Sequence, residues 1–269
     1  MTGSIRVFAR KTSMTPKDDF AFYGEPPLFH LPDLPVHVSV TFTWDIERGE
    51  RLAKAWSLKT SDVHLGGPAF GEKPGQFTPG RFLKPGITIT SRGCPKHCPW
   101  CLVAREGRLR QLIIKPGHII QDNNILACSR RHFEKVCEML SQQKKAAQFK
   151  GGLDVDYLTA WHVDQLKKIR VSELWVAADS NAAVSKLDKA ADLLGDYSIA
   201  KKRCYVLIGF DGDTPSLAKS RCRAVYSRGF LPFAQYYRPS GGWITIPNEW
   251  RFAVRKWARP AAYRAKKEG

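Results

Sequence analysis

Gly93-Cys94-Pro95-Lys96-His97-Cys98-Pro99-Trp100-Cys101 places three of the chain's seven cysteines within eight residues, spaced C-x3-C-x2-C. The β-rich run Ile87-Thr88-Ile89-Thr90-Ser91 leads straight into it. Pro95 and Pro99 exclude a regular helix through the loop and restrict the residues before them. Three thiolates on a short, stiff loop can converge on one face of a metal centre. Thiolate is the soft donor that selects zinc or an iron–sulfur cluster. A zinc site needs a fourth ligand, and His97 inside the loop would complete a Cys3His set. Closed structural zinc sites usually draw ligand pairs from separate segments, and the sequence shows no second pair. Cys128, Cys137, Cys204 and Cys222 stand apart and read as small apolar residues of the interior. Three protein ligands would leave one metal position open, as catalytic sites do.

Outward from the loop, strand and helix patterns alternate. Apolar runs at 87–91, 118–121, 149–153, 173–178, 204–210 and 231–236 read as strands. Helical spacing appears at 130–143, 160–169, 182–194 and 215–227. Ser129 is placed to cap the first of these helices. Asp213 or Thr214 can cap the last, with Pro215 at its first position. The class is therefore α/β with a parallel sheet, open or curled into a barrel. Ligands of such sheets bind at the C-terminal strand ends. The cysteine loop, Asp122-Asn123-Asn124, Asp154, Asp179-Ser180-Asn181 and Asp211 all fall at that edge.

Upstream, residues 1–35 are proline-rich and read as an extended arm. A strand at 36–43, a helix at 46–58 with Asp45 as cap, and a strand at 61–65 suggest a small Rossmann-like β-α-β unit within 1–86. Downstream, a basic aromatic helix at 249–258 occupies the C-terminal segment, 239–269.

A chain of 269 residues can bury one good-sized core with an appendage. The net charge of +18 attracts polyanions, nucleic acid first among them. Trp243, Trp250, Phe252 and Trp257, interleaved with Arg251, Arg255 and Lys256, either stack on bases or pin the last helix to the fold. No apolar run is long enough to cross a bilayer, so no membrane partner is expected. The N-terminus carries no apolar core of signal-peptide length, and the expected location is cytoplasmic. An odd cysteine count with three crowded together favours a metal site over disulfides.

The C-x3-C-x2-C loop, with Trp100 before its last cysteine and a six-fold strand–helix repeat behind it, resembles the radical S-adenosylmethionine (SAM) superfamily over about 87–238. The resemblance implies a six-unit partial (βα)6 barrel. It also implies a [4Fe-4S] cluster on Cys94, Cys98 and Cys101, with SAM chelating the open iron. The reduced cluster would cleave SAM to a 5'-deoxyadenosyl radical that abstracts a hydrogen atom. The resemblance places Trp100 beside the adenine. Asp122, Asn123 and Asn124 stand where the family binds the SAM amino group with a Gly-Gly-Glu-like segment. Asp179 and Ser180 match the ribose-binding strand end, and Gly209 and Asp211 the fifth-strand segment against adenine. A carboxylate partner would be an arginine among Arg92, Arg105, Arg130 and Arg131. A reducing partner such as flavodoxin or ferredoxin is implied.

The segments around 205–214 and 229–234 look most like the branch of cobalamin-binding and methylthiotransferase-type members. Asp62-Val63-His64-Leu65-Gly66-Gly67 matches the D-x-H-x-x-G pattern of some cobalamin enzymes. The segment before it is too short for a whole cobalamin domain, so cobalamin is not expected. With no second three-cysteine set, sulfur insertion is not expected either. The charge points to a base in DNA or tRNA, and the resemblance implies, as a narrower reading, a hypermodified thymidine of phage DNA. A peptide or small metabolite is the alternative substrate. A zinc-stabilised nucleic-acid-binding protein without catalysis is the alternative of another class.

Overall fold

The structure is a computed structural model that describes residues 3–28, 31–72, 75–105, 108–239 and 245–258. The described residues form two compact units, one spanning 3–87 with 239 and the other 88–238 with 245–258.

In the first unit, β1 (Ile5–Phe8), β2 (Ala21–Tyr23), β3 (Val36–Ser39) and β4 (Val63–Gly66) form a parallel sheet in the order β2-β1-β3-β4. The expected extended arm therefore supplies two strands, and β1 is buried throughout. Pro16, Pro26 and Pro27 fall in the connections, which leaves the short apolar run 5–8 free to pair on both edges. Helix α1 (Ile46–Ser57) lays Leu52 and Trp56 on Val36, Val38 and Val40. Gly49 permits that approach, since a Cβ there would sit 2.3 Å from a Val40 methyl. Asp45 does not cap α1; its carboxylate takes both donors of Arg10, at 2.8 and 2.7 Å.

In the second unit, six strands form one parallel sheet. They are β5 (Ile87–Thr88), β8 (Ile119–Ile120), β9 (Ala147–Phe149), β10 (Val171–Ala177), β11 (Lys202–Ile208) and β12 (Leu231–Tyr236), in that spatial order. Each new strand joins the same growing edge. Right-handed crossovers then place the connecting helices on one face. A doubly wound sheet reverses its strand order at a switch point, and this one does not. Such a singly wound order is compatible with a partial barrel.

The helices are α2 (Arg130–Ser141), α3 (Ala160–Lys167), α4 (Asn181–Leu193), α5 (Pro215–Ser227) and α6 (Asn248–Trp257). Their apolar sides and one sheet face share a core that includes Phe133, Phe149, Leu166, Leu174, Val206 and Val225. Each such side chain contributes roughly 1.5–3 kcal/mol by leaving water. The opposite sheet face carries Trp175 stacked on Tyr205 at 4.4 Å, with Phe233 edge-on to both.

The sequence reading differs from this fold in two places that matter for the site. The run 87–91 is not one strand. Chain pairing with β8 stops after Thr88, and β6 (Ser91–Arg92) pairs antiparallel with β7 (Arg110–Gln111). The cysteine loop is thus an excursion closed at its base by a two-residue ladder. Among the described residues it stands where a first α-helix would stand. The third strand ends at Phe149 rather than Leu153. Beyond it Gly151 lies so close to the Asp122 backbone that a Cβ would be 1.9 Å from the Asp122 carbonyl oxygen. Lys150 and Gly151 both donate to the Ile120 carbonyl, at 2.9 and 3.1 Å.

Candidate metal centre

The loop begins at Gly93, whose φ of 82° is open to glycine and strained for other residues. Its N–H donates to Asn123 Oδ1 at 3.0 Å. Further along, Cys101 N–H donates to the Cys98 carbonyl at 3.0 Å and closes the second half of the loop.

Asp122 is 1% exposed and anchors the approach to the loop. Its carboxylate accepts from Thr90 N–H at 2.7 Å, Thr90 Oγ1 at 2.6 Å and Ser91 Oγ at 2.7 Å. His132 Nε2 lies 3.1 Å from the same Thr90 hydroxyl. Burial pushes the Asp122 carboxyl up, and the hydrogen bonds only partly offset this. Sequence reasoning assigned Asp122 and Asn123 to a cofactor. In the structure their oxygens serve the loop base instead, because buried N–H and O–H groups there need acceptors.

Asn124 is different. It is 2% exposed, and its Nδ2 donates to Cys94 Sγ at 3.4 Å and to Asp154 Oδ2 at 2.9 Å. Its Oδ1 is buried without a hydrogen-bond partner. Asp154 also receives Lys96 Nζ at 2.6 Å, and Lys96 reaches Asp156 at 2.7 Å. Asp156 in turn pairs with Lys186 of α4 at 2.8 Å. Burial works against the Lys96 charge, but the two carboxylates prevail and raise its pKa. A chain of contacts thus runs from Cys94 through Asn124, Asp154, Lys96 and Asp156 to α4. Lys96 and Asp156 form the part of the site that sequence reasoning missed, whereas Asp154 is one of the strand-end residues it names. The signal available was a lysine inside the loop and a second aspartate after the third strand.

Cys94, Cys98 and Cys101 are free and half-buried. Burial pushes the Cys98 thiol up, with smaller raising effects from Cys101, Cys94 and Asp179 and a lowering one from Lys96. Among the described residues, no three Cys, His, Asp or Glu side chains close on a single ion position. His97 is exposed. A single ion needs its donors at contact distance, whereas a polynuclear cluster carries each thiolate on a separate iron. The three thiols are soft donors, and Asn124 Oδ1 beside them is a buried acceptor without a hydrogen-bond partner. Cys137, Cys204 and Cys222 are buried in the core, and burial raises all three thiols, Cys137 and Cys222 to about 12.

Trp100 reaches the later strands. Asp179 accepts from Leu207 N–H at 3.1 Å, and burial pushes its carboxyl up, with Leu207 and Trp100 acting the other way. The Trp100 ring meets Phe210 edge-on at 5.4 Å. Ser180 caps α4 by accepting from Ala183 N–H at 3.2 Å, so its hydroxyl is engaged locally. Gly209 has φ 75°, and a Cβ there would lie 2.3 Å from the Tyr236 ring. Its N–H donates to Asp213 at 2.9 Å. Asp213 is locked to Arg221 at 2.7 Å, with both side chains nearly buried, and Arg221 also donates to the Leu207 carbonyl at 2.8 Å. Asp211 is exposed in the turn. The structure thus brings Trp100 against Phe210, the residue after Gly209, and sets Asp179 on the Leu207 amide of β11. Asp211 has no part in that grouping.

Of the arginines considered for a ligand carboxylate, Arg130 lies over the Trp161 ring at 5.1 Å. The side chains of Arg105 and Phe252, and the whole of Trp243, lie outside the described residues. Trp250 and Trp257 are 6% and 5% exposed and belong to the core, so they pin α6 to the sheet and offer no face to bases. His64 pairs with Asp62 at 2.8 Å and stacks on His37 at 5.1 Å in the first unit. No helix among the described residues is long and apolar enough to cross a membrane. Against known proteins, no family model matches the chain and no curated protein matches it in sequence.

Proposed function

We propose that this protein is a radical SAM enzyme that modifies a nucleic-acid base or a group appended to it. The observation that carries the reading is the three-thiol loop beside a buried, unspent acceptor, Asn124 Oδ1, at the C-terminal edge of a singly wound parallel sheet. Cys94, Cys98 and Cys101 would hold a [4Fe-4S] cluster. Bound there with SAM, the reduced cluster supplies a 5'-deoxyadenosyl radical for hydrogen abstraction.

The chain's own residues bind and orient. Asn124 Oδ1 is an acceptor suited to the ammonium of SAM. Trp100, packed edge-on against Phe210 at 5.4 Å, presents an aromatic ring near the end of β11. The Asp122 anchor and the β6–β7 ladder keep the loop at one place on the sheet edge. Positioning of this kind is what a cofactor enzyme asks of its protein.

The substrate class follows from the charge of +18. Arg223 on α5 and Arg251 and Arg255 on α6 are exposed on helices that pack together. A polyanion gains counterion-release energy from such a surface without base stacking.

Anaerobically purified protein should be brown and contain iron and sulfide. With dithionite and SAM it should release 5'-deoxyadenosine, and Cys98→Ala should abolish the release. Colourless protein that takes up zinc alone after reconstitution would overturn the reading in favour of a zinc-stabilised binding protein. A gel shift on duplex DNA and tRNA that showed no salt-sensitive binding would remove the nucleic-acid substrate and leave a peptide or small metabolite.

A further inference from the structure

We infer that Asn124 is a positioning residue whose side-chain N–H, donated to the Cys94 sulfur, sets the reduction potential of the cluster. The inference rests on the iron–sulfur reading above. Its geometry comes from three facts. Asn124 is 2% exposed, its Nδ2 lies 3.4 Å from Cys94 Sγ, and the same nitrogen lies 2.9 Å from Asp154 Oδ2.

An amide can present either its oxygen or its nitrogen to a neighbour, and the neighbour decides which. A carboxylate only accepts, so Asp154 requires the nitrogen. Asp154 is itself held by Lys96 at 2.6 Å, and Lys96 is braced by Asp156, which Lys186 holds at 2.8 Å. Turning the amide over would set Oδ1 against the Asp154 carboxylate and remove the donor from the sulfur. The charge chain thus fixes which end of Asn124 faces Cys94. Burial excludes water as a substitute donor.

A hydrogen bond to a cluster thiolate favours the reduced, more negative state. Second-shell partners of this kind typically change metal-site properties 10–100-fold. Asn124→Leu keeps the size and removes the donor. It should make reduction about tenfold less favourable, which is ~59 mV more negative for one electron.

The measurement is an anaerobic redox titration of reconstituted wild type and Asn124→Leu without SAM, followed by charge-transfer absorbance and electron paramagnetic resonance. Iron and sulfide content is determined in parallel. If the wild type binds no cluster, the functional reading itself falls. If both proteins load equally and their potentials coincide, the inference falls while the function stands. Should Asn124→Leu fail to load, Asp154→Asn takes its place, because it lifts the constraint on the amide without altering Asn124. A smaller negative shift there supports the inference. An unchanged potential, or failure of both variants to load, overturns it, because a tuning residue leaves the cluster in place.

Discussion

Replacing Asp122 by Ala and by Asn separates the loss of hydrogen bonds from the loss of charge. The wild-type carboxylate serves three buried donors at 2.6–2.7 Å. Ala strands the Thr90 N–H, which alone costs about 1–3 kcal/mol. The Thr90 hydroxyl retains His132, and the Ser91 hydroxyl can turn. With the lost packing the total should be about 3 kcal/mol. Asn keeps one oxygen for the backbone N–H, and its NH2 can donate to the two hydroxyl oxygens. Its cost at neutral pH should stay below about 1 kcal/mol. The pH dependence has a fixed sign. Burial raises the folded-state pKa of Asp122 above its ordinary 3.8, despite the hydrogen bonds. A carboxyl raised on folding contributes most below the unfolded pKa, and that contribution is lost as pH climbs toward the folded value. Wild-type stability should therefore decline relative to Asp122→Asn as pH rises from acid toward neutral. Urea denaturation of the three proteins across that range reads both effects. Equal destabilisation by Asn and Ala, or a wild-type-to-Asn difference that is flat with pH, would refute the argument.

Two further changes test the frame around the site. Gly151→Ala sets a Cβ 1.9 Å from the Asp122 carbonyl oxygen, backbone against backbone, and should cost at least ~3 kcal/mol in thermal or chemical denaturation. A loss under about 1 kcal/mol would show that the two segments separate easily. Arg221→Met leaves Asp213 buried without its partner at 2.7 Å and should cost roughly 3–5 kcal/mol, with much of that regained in the Arg221→Met/Asp213→Leu double variant. A double variant no better than the single would place the energy elsewhere than in the pair.

The alternation of apolar strands and amphipathic helices was legible because buried parallel strands are nearly all apolar and their helices carry one apolar stripe. Ser129 and Thr214 each accept a hydrogen bond at the start of the following helix, as the sequence suggests, whereas Ser180, read as a ribose contact, also caps its helix. The strands 5–8 and 21–23 were hidden by the prolines around them. The ladder of Ser91–Arg92 with Arg110–Gln111 is two residues long and leaves no periodic trace. Asp122 shows a different limit. A carboxylate at a strand end looks the same in sequence whether it faces a ligand or the chain's own N–H groups. Lys96 was overlooked because its partners lie 58 and 60 residues away. The spacing of Trp250, Ala253 and Trp257 does mark a buried helical stripe, and the structure uses it that way.

The two-residue ladder at the base of the cysteine loop bears on how the protein comes into being. The core of the six-stranded sheet closes on Phe133, Phe149, Leu174 and Val206 without any of the three loop thiols. The core is therefore complete without a metal at the loop, unlike small zinc domains in which the metal is the folding energy. The chain can leave the ribosome, fold and wait, with the loop tethered at both ends. On the proposed reading, a cluster would be inserted after folding, and its loss to air oxidation would leave the scaffold intact.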